Sequence, residues 1–82
     1  MQISIDPLPI RLAVAEYLAK HAPVKKQELL QYLQQIEPDK PLEAKIVTIL
    51  DLVTVDDEDN VYPTQIAKNL YQLMKQQKII QE

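Results

Sequence analysis

Residues 56 to 60, Asp-Asp-Glu-Asp-Asn, form the densest group of potential metal-binding oxygens in the chain. An EF-hand calcium loop needs oxygen ligands at positions 1, 3 and 5, glycine at position 6 and glutamate at position 12. If Asp56 is position 1, Val61 stands at position 6 and Ala67 at position 12. If Asp57 is position 1, Val61 stands at position 5. The stretch therefore predicts a solvated turn, and we expect neither a metal nor another cofactor.

The chain has one local basic cluster, which consists of Lys20, His21, Lys25 and Lys26. A helix that begins here would add free N–H groups and the positive end of its dipole, so this corner could hold a phosphate group. A solvated corner between two helices is the competing interpretation. The net charge of −3 and the pI near 5.0 favour that second interpretation, because the chain as a whole does not attract anions.

Residues suited to catalysis are scarce. Cysteine is absent, Ser4 is the one serine and His21 is the one histidine, so no nucleophile and base are paired by the sequence. Carboxylates are plentiful, but the sequence spacing forces no pair of them together in an apolar pocket, as acid–base chemistry would need. Glycine is also absent, and the P-loop and the dinucleotide-binding loop both require it. We therefore expect a protein that is not an enzyme.

Apolar residues at helical spacing predict about four helices within a single domain that covers residues 1–82. Asp6 as N-cap and Pro7 at the first helical position predict the start of the first helix, which should end near His21. Thr64 is the predicted N-cap of the last helix, with Lys75 and Lys78 near its C-terminal end. The stripes expected to be buried are Leu8, Leu12, Ala15 and Ala19, joined by Val14, Tyr17 and Leu18, in the first helix, Leu29, Leu30, Leu33 and Ile36 in the second, and Ile66, Ala67, Leu70, Leu73 and Met74 in the last.

The stretch "DKPLEAKIVTILDLV" carries the clearest amphipathic pattern and predicts the third helix. Its apolar face is predicted to consist of Leu42, Ile46, Ile49, Leu50 and Val53. Its outward face is predicted to consist of Glu43, Ala44, Lys45, Thr48 and Asp51.

A short β-hairpin is predicted near residues 53–62. "LVTV" is rich in β-branched residues, "DDEDN" has turn chemistry, and "VYP" is extended because a residue before proline avoids the α region.

The order of these elements resembles that of a winged helix-turn-helix domain. The resemblance rests on "APVKKQELLQYL" for the second helix, "PLEAKIVTILDLV" for the third, and "LVTVDDEDNVYPTQIAKNL" for the wing and the helix after it. It implies a mainly α fold with about four helices and one hairpin. It also implies a regulatory domain that binds DNA through the third helix (41–53) and the basic corner 20–26. Such a domain could act as a homodimer. The implied contacts are Lys25, Lys26, Lys45 and Thr48.

An acidic protein-interaction module on the same scaffold, or a subunit or inhibitor of a larger complex, is the alternative function. A wing that contacts the phosphate backbone should be basic, whereas this turn is acidic. The alternative assigns partner contacts to Asp56, Asp57, Glu58 and Asp59 and to exposed apolar residues such as Val47.

No stretch reaches the roughly 18 uninterrupted apolar residues of a membrane helix, and the N-terminal residues have no signal-peptide pattern. We therefore expect a cytoplasmic protein without a membrane partner.

Overall fold

The computed structural model describes residues 7–77, which form four helices and one three-stranded antiparallel sheet. The prediction of a mainly α fold with a hairpin near residues 53–62 is confirmed. The predicted N-cap Asp6, Ser4 and Lys78 lie outside the described residues. In chain order the elements are α1 (Leu8–His21), β1 (Val24–Lys25), α2 (Lys26–Gln35), α3 (Leu42–Thr48), β2 (Val53–Val55), β3 (Asn60–Pro63) and α4 (Gln65–Gln76).

Helix α1 lies at the centre of the core, and its buried side matches the predicted one in part. Val14, Ala15 and Leu18 are buried as predicted, and Ile10 is fully buried although it was not predicted. The predicted Leu8 is 52% exposed, and Ala19 is also exposed. Apolar side chains occur on nearly every side of this helix, so the periodicity could not identify the side that faces α4, α3 and the sheet. Packing against those elements selected the stripe through Ile10.

Strand β3 is the central strand, because the order in the sheet is β1-β3-β2. Val61 pairs with Val24 of β1 and with Val55 of β2. Directly opposed residues share a face of the sheet, so these three valines lie on the side that packs on the helices. Val24 and Val61 are buried there, while Val55 at the outer strand remains 45% exposed.

Helix α4 is capped as predicted by Thr64, whose hydroxyl accepts a hydrogen bond from the Ala67 N–H at 3.4 Å. Ala67 and Met74 are buried against the core. The predicted buried stripe was too wide, because Ile66 is 50% exposed and Leu73 is 54% exposed. The core is small, and it covers one narrow side of α4.

Candidate interaction surface

Lys45 is not on the outward face of α3, so the prediction of an accessible DNA contact at this position is wrong. The residue is 1% exposed, and its Nζ donates to the carbonyl oxygens of Leu33 at 2.7 Å and Ile36 at 2.6 Å. These carbonyls belong to the C-terminal end of α2, where oxygens lack helical partners and a cation is favourable. The ammonium group therefore caps α2 and cannot reach a phosphate or a base edge.

The stripe of α3 that faces the core is Leu42, Lys45, Ile46 and Ile49, at helical steps of three, one and three. A lysine occupies one of its positions because the aliphatic stem packs like an apolar side chain while the ammonium reaches polar oxygens. Two features of the sequence are compatible with this placement but do not decide it. Position 45 completes the regular spacing, and no glycine is available to end the preceding helix.

Thr48, the second predicted contact on α3, is half-buried and has its polar groups engaged within the fold. Its hydroxyl donates to the Lys45 carbonyl at 2.6 Å, and its own carbonyl accepts from Nη1 of Arg11 at 2.8 Å. Neither predicted contact on α3 thus offers a free donor to a ligand.

Two large apolar side chains are exposed on the outward side of α3 and just beyond its end. Val47 is 68% exposed and Leu50, just beyond the end of α3, is 61% exposed. The exposure of Val47 was predicted, whereas Leu50 was expected in the core. Leu50 faces solvent because α3 ends at Thr48 and the chain turns before β2 begins, so the helical spacing no longer applies at position 50.

An open apolar groove adjoins these residues. It has a volume of about 250 Å³ and lies between α2, α3 and the hairpin. Its rim and walls include Lys26, Leu30, Ile46, Leu50, Val53 and Val55. This groove was not predicted from the sequence, because its walls come from three elements that are separated along the chain.

A bidentate ion pair fixes the position of the segment between α3 and β2. Arg11 of α1 donates to both carboxylate oxygens of Asp51, at 2.6 and 2.9 Å. These hydrogen bonds hold the pKa of Asp51 below its ordinary value and raise the pKa of Arg11. The pair attaches the exposed Leu50 segment to the central helix, so the apolar surface is presented by a fixed backbone.

The predicted acidic turn is held together by Asp56. Its Oδ1 accepts the backbone N–H groups of Glu58 and Asn60, both at 2.9 Å, and its Oδ2 accepts from the Asn60 side chain at 3.1 Å. The hydrogen bond from the Asn60 N–H is the main reason that the pKa of Asp56 is lowered. Asp59 adopts the left-handed conformation, with φ of 63°, that glycine often supplies in such hairpins.

The other three carboxylates of the turn are exposed and point to solvent. Asp57, Glu58 and Asp59 make no side-chain hydrogen bond within residues 7–77. No group of three or more His, Asp or Glu residues in that range is arranged to hold a metal ion. These carboxylates form a negative surface at the end of the hairpin.

The basic corner lies beside this acidic turn. Lys25 donates from its Nζ to the Glu58 carbonyl at 3.2 Å, and the backbone N–H of Lys26 donates to the Asp59 carbonyl at 2.8 Å. The first N–H of α2 is therefore already occupied where a phosphate had been considered. Both lysine side chains are exposed, but the backbone contacts place them beside the acidic turn, and Lys25 interacts electrostatically with Asp56.

Comparison of the chain with protein-family models, with curated protein sequences and with solved structures finds no match. Among the described helices none has both the length and the apolar character needed to cross a bilayer.

Proposed function

We propose that this chain is a winged-helix-like protein-interaction module that binds a protein partner through the exposed surface around α3 and the hairpin. The proposal rests on which side chains are exposed on the outward side of α3. Val47 and Leu50 are exposed there, and the one lysine of this segment, Lys45, is buried. A helix that reads DNA needs donors and acceptors for base edges and cations for phosphates. An apolar side is suited to a protein surface instead.

The winged-helix part of the proposal is supported by topology. Helix, short strand, two helices, a hairpin and a last helix follow one another, and the hairpin strand β3 pairs with the short strand β1. This order is similar to that of winged helix domains. Because one fold serves many functions, the likeness bears on architecture and leaves the partner to be argued from the site.

DNA binding is the second candidate function. The exposed Lys25 and Lys26 support it, together with the likeness in topology. The acidic turn beside them opposes it, since phosphate binding would bring like charges together. The protein partner therefore ranks first. Such a partner would offer apolar side chains to Val47 and Leu50, and basic groups to the turn.

Photo-cross-linking in the host cell tests the proposal. A benzophenone amino acid would replace Leu50, and the matched control would carry it at Gln76, an exposed position on α4. We expect a discrete protein adduct from position 50 that is absent from position 76. A nucleic-acid adduct from position 50, or duplex DNA binding that weakens steeply with salt, would support the second candidate and contradict the first.

A further inference from the structure

Strand β2 forms one edge of the sheet. On the side facing β3, the Asp56 N–H donates to Asn60 and the Thr64 N–H donates to Leu52, both at 3.0 Å, and Thr54 is paired with Tyr62. Backbone groups alternate in direction along a strand. The N–H and C=O groups of Val53 and Val55 therefore point away from β3, to a side on which no other strand of residues 7–77 is paired.

The apolar groove lies directly beneath this edge. Val53 and Val55 share the sheet face of Val61 and line the groove together with Leu30 and Leu50. A strand added next to β2 would place every second side chain on that same face. Alternate apolar residues of the added strand would thus continue the groove side, while the residues between them would face solvent.

The acidic turn sets the charge expected at one end of the added strand. The acidic turn follows immediately after Val55, so any strand alongside β2 passes Asp57, Glu58 and Asp59 at one end. All existing pairings in the sheet are antiparallel, and antiparallel pairing is the more stable arrangement per residue. In that arrangement the N-terminal end of the added strand lies beside the turn, where lysine or arginine would complement the carboxylates.

We propose that the β2 edge accepts an extended segment of a partner protein, added antiparallel, with alternating apolar residues over the groove and basic residues at its N-terminal end. This proposal rests on the proposed function and specifies the partner. Main-chain hydrogen bonds to Val53 and Val55 provide affinity, and the groove and the turn provide selectivity.

The proposal is tested by adding synthetic peptides to the ¹⁵N-labelled full chain and following its amide signals. Each peptide has two N-terminal lysines followed by threonine alternating with an apolar residue. Four versions carry valine, isoleucine, leucine or phenylalanine at the apolar positions. We expect at least one to shift the amide signals of Val53 and Val55 and to slow their hydrogen exchange. Replacing its lysines by glutamates should weaken binding about tenfold or more, which corresponds to about 1.4 kcal/mol.

Backbone pairing is tested on the peptide itself. N-methylation of the alternate residues whose N–H groups face β2 should abolish binding, and N-methylation of the residues between them should leave it unchanged within about threefold. This comparison does not depend on any change to the protein. Equal binding of the two methylated peptides would overturn the proposal, because groove binding alone would then account for the affinity.

A matched pair of variants tests the location on the protein. Val55 and Thr54 are adjacent, exposed residues of β2 on opposite faces of the sheet. Val55→Lys should weaken peptide binding about tenfold or more, and Thr54→Lys should change it less than about threefold, with the same added charge. Circular dichroism verifies that both variants are folded.

Two further outcomes would overturn the proposal. One is the absence of binding by all four lysine peptides at millimolar concentration. The other is a dimer in sedimentation equilibrium that Val55→Lys dissociates, which would assign the edge to a second copy of this chain. If the peptides fail while a protein adduct forms from position 50, strand addition is wrong and the proposed function stands. If position 50 yields no protein adduct, the proposed function itself fails.

Discussion

The Nζ of Lys45 donates a hydrogen bond to the carbonyl oxygen of Ile36 at 2.6 Å, so a lysine side chain from α3 closes the C-terminal end of α2. A second bond from the same atom reaches Leu33 at 2.7 Å. These two hydrogen bonds connect α3 to α2 through the buried ammonium group of Lys45. It also removes a cation from the surface that a DNA-binding domain of this shape would use.

Lys45→Met should destabilise the fold, because methionine fills the space of the stem but leaves two helix-terminal carbonyls without their donor. We expect a loss of about 1–3 kcal/mol in the free energy of unfolding, measured with urea. Lys68→Met on the exposed side of α4 is the control and should stay within about 0.5 kcal/mol of the unmodified chain. An equally small effect at both positions would contradict the capping role of Lys45.

Asp51→Asn should lower the stability of the fold at neutral pH. It should also make the variant lose less stability than the unmodified chain when the pH is lowered. The pKa of Asp51 is lowered by its hydrogen bond with Arg11, so its contribution is present above the unfolded-state pKa near 3.9 and is lost as pH falls through the lower folded-state pKa. Because the pair is partly exposed, we expect Asp51→Asn to lower the free energy of unfolding at pH 7 by about 0.5–1 kcal/mol.

Urea unfolding at pH 7 and pH 3 measures this difference. Asp39→Asn serves as the control, since its side chain is 76% exposed and its contact with Lys40 is 3.7 Å long. A gap between Asp51→Asn and the unmodified chain that is as large at pH 3 as at pH 7 would show that the charge of Asp51 is not the cause.

Substitutions of Asp59 should report on the left-handed conformation of the turn. Its φ of 63° is available to glycine without steric cost but is costly for a β-branched residue. Asp59→Gly should leave stability unchanged or raise it by up to about 1 kcal/mol, whereas Asp59→Val should lower it by about 1–2 kcal/mol. Thermal unfolding of both variants, with Asp57→Val as the neighbouring control, measures the effect. Equal losses for the two valine variants would contradict this conformational explanation.

Leu50 and Leu52 should differ sharply although they lie two positions apart. Leu52 is fully buried and Leu50 is 61% exposed. We expect Leu52→Ala to cost about 2–5 kcal/mol, because it leaves a cavity, and Leu50→Ala to cost less than about 0.5 kcal/mol. Chemical denaturation measures both. A large loss for Leu50→Ala would place that side chain in the core and weaken its assignment to the interaction surface.

Local chemistry alone made much of the architecture predictable. The Thr64 cap, the turn rich in Asp and Asn, and the β-branched residues beside it each act within a few residues, and the corresponding elements are found. The shape of the candidate surface was harder to predict. Its groove needs walls from α2, α3 and β2, and no local pattern specifies how far apart these elements lie.

The sequence by itself determined the element order, the acidic turn and the absence of cysteine and glycine. The tertiary structure alone decided which side chains are accessible. Lys45 is buried and Leu50 is exposed because the docking of α3 on α2 and the early end of α3 set their positions, against the expectation from residue type. Burial depends on long-range packing, which periodicity can suggest but cannot resolve when a helix has more than one plausible apolar side.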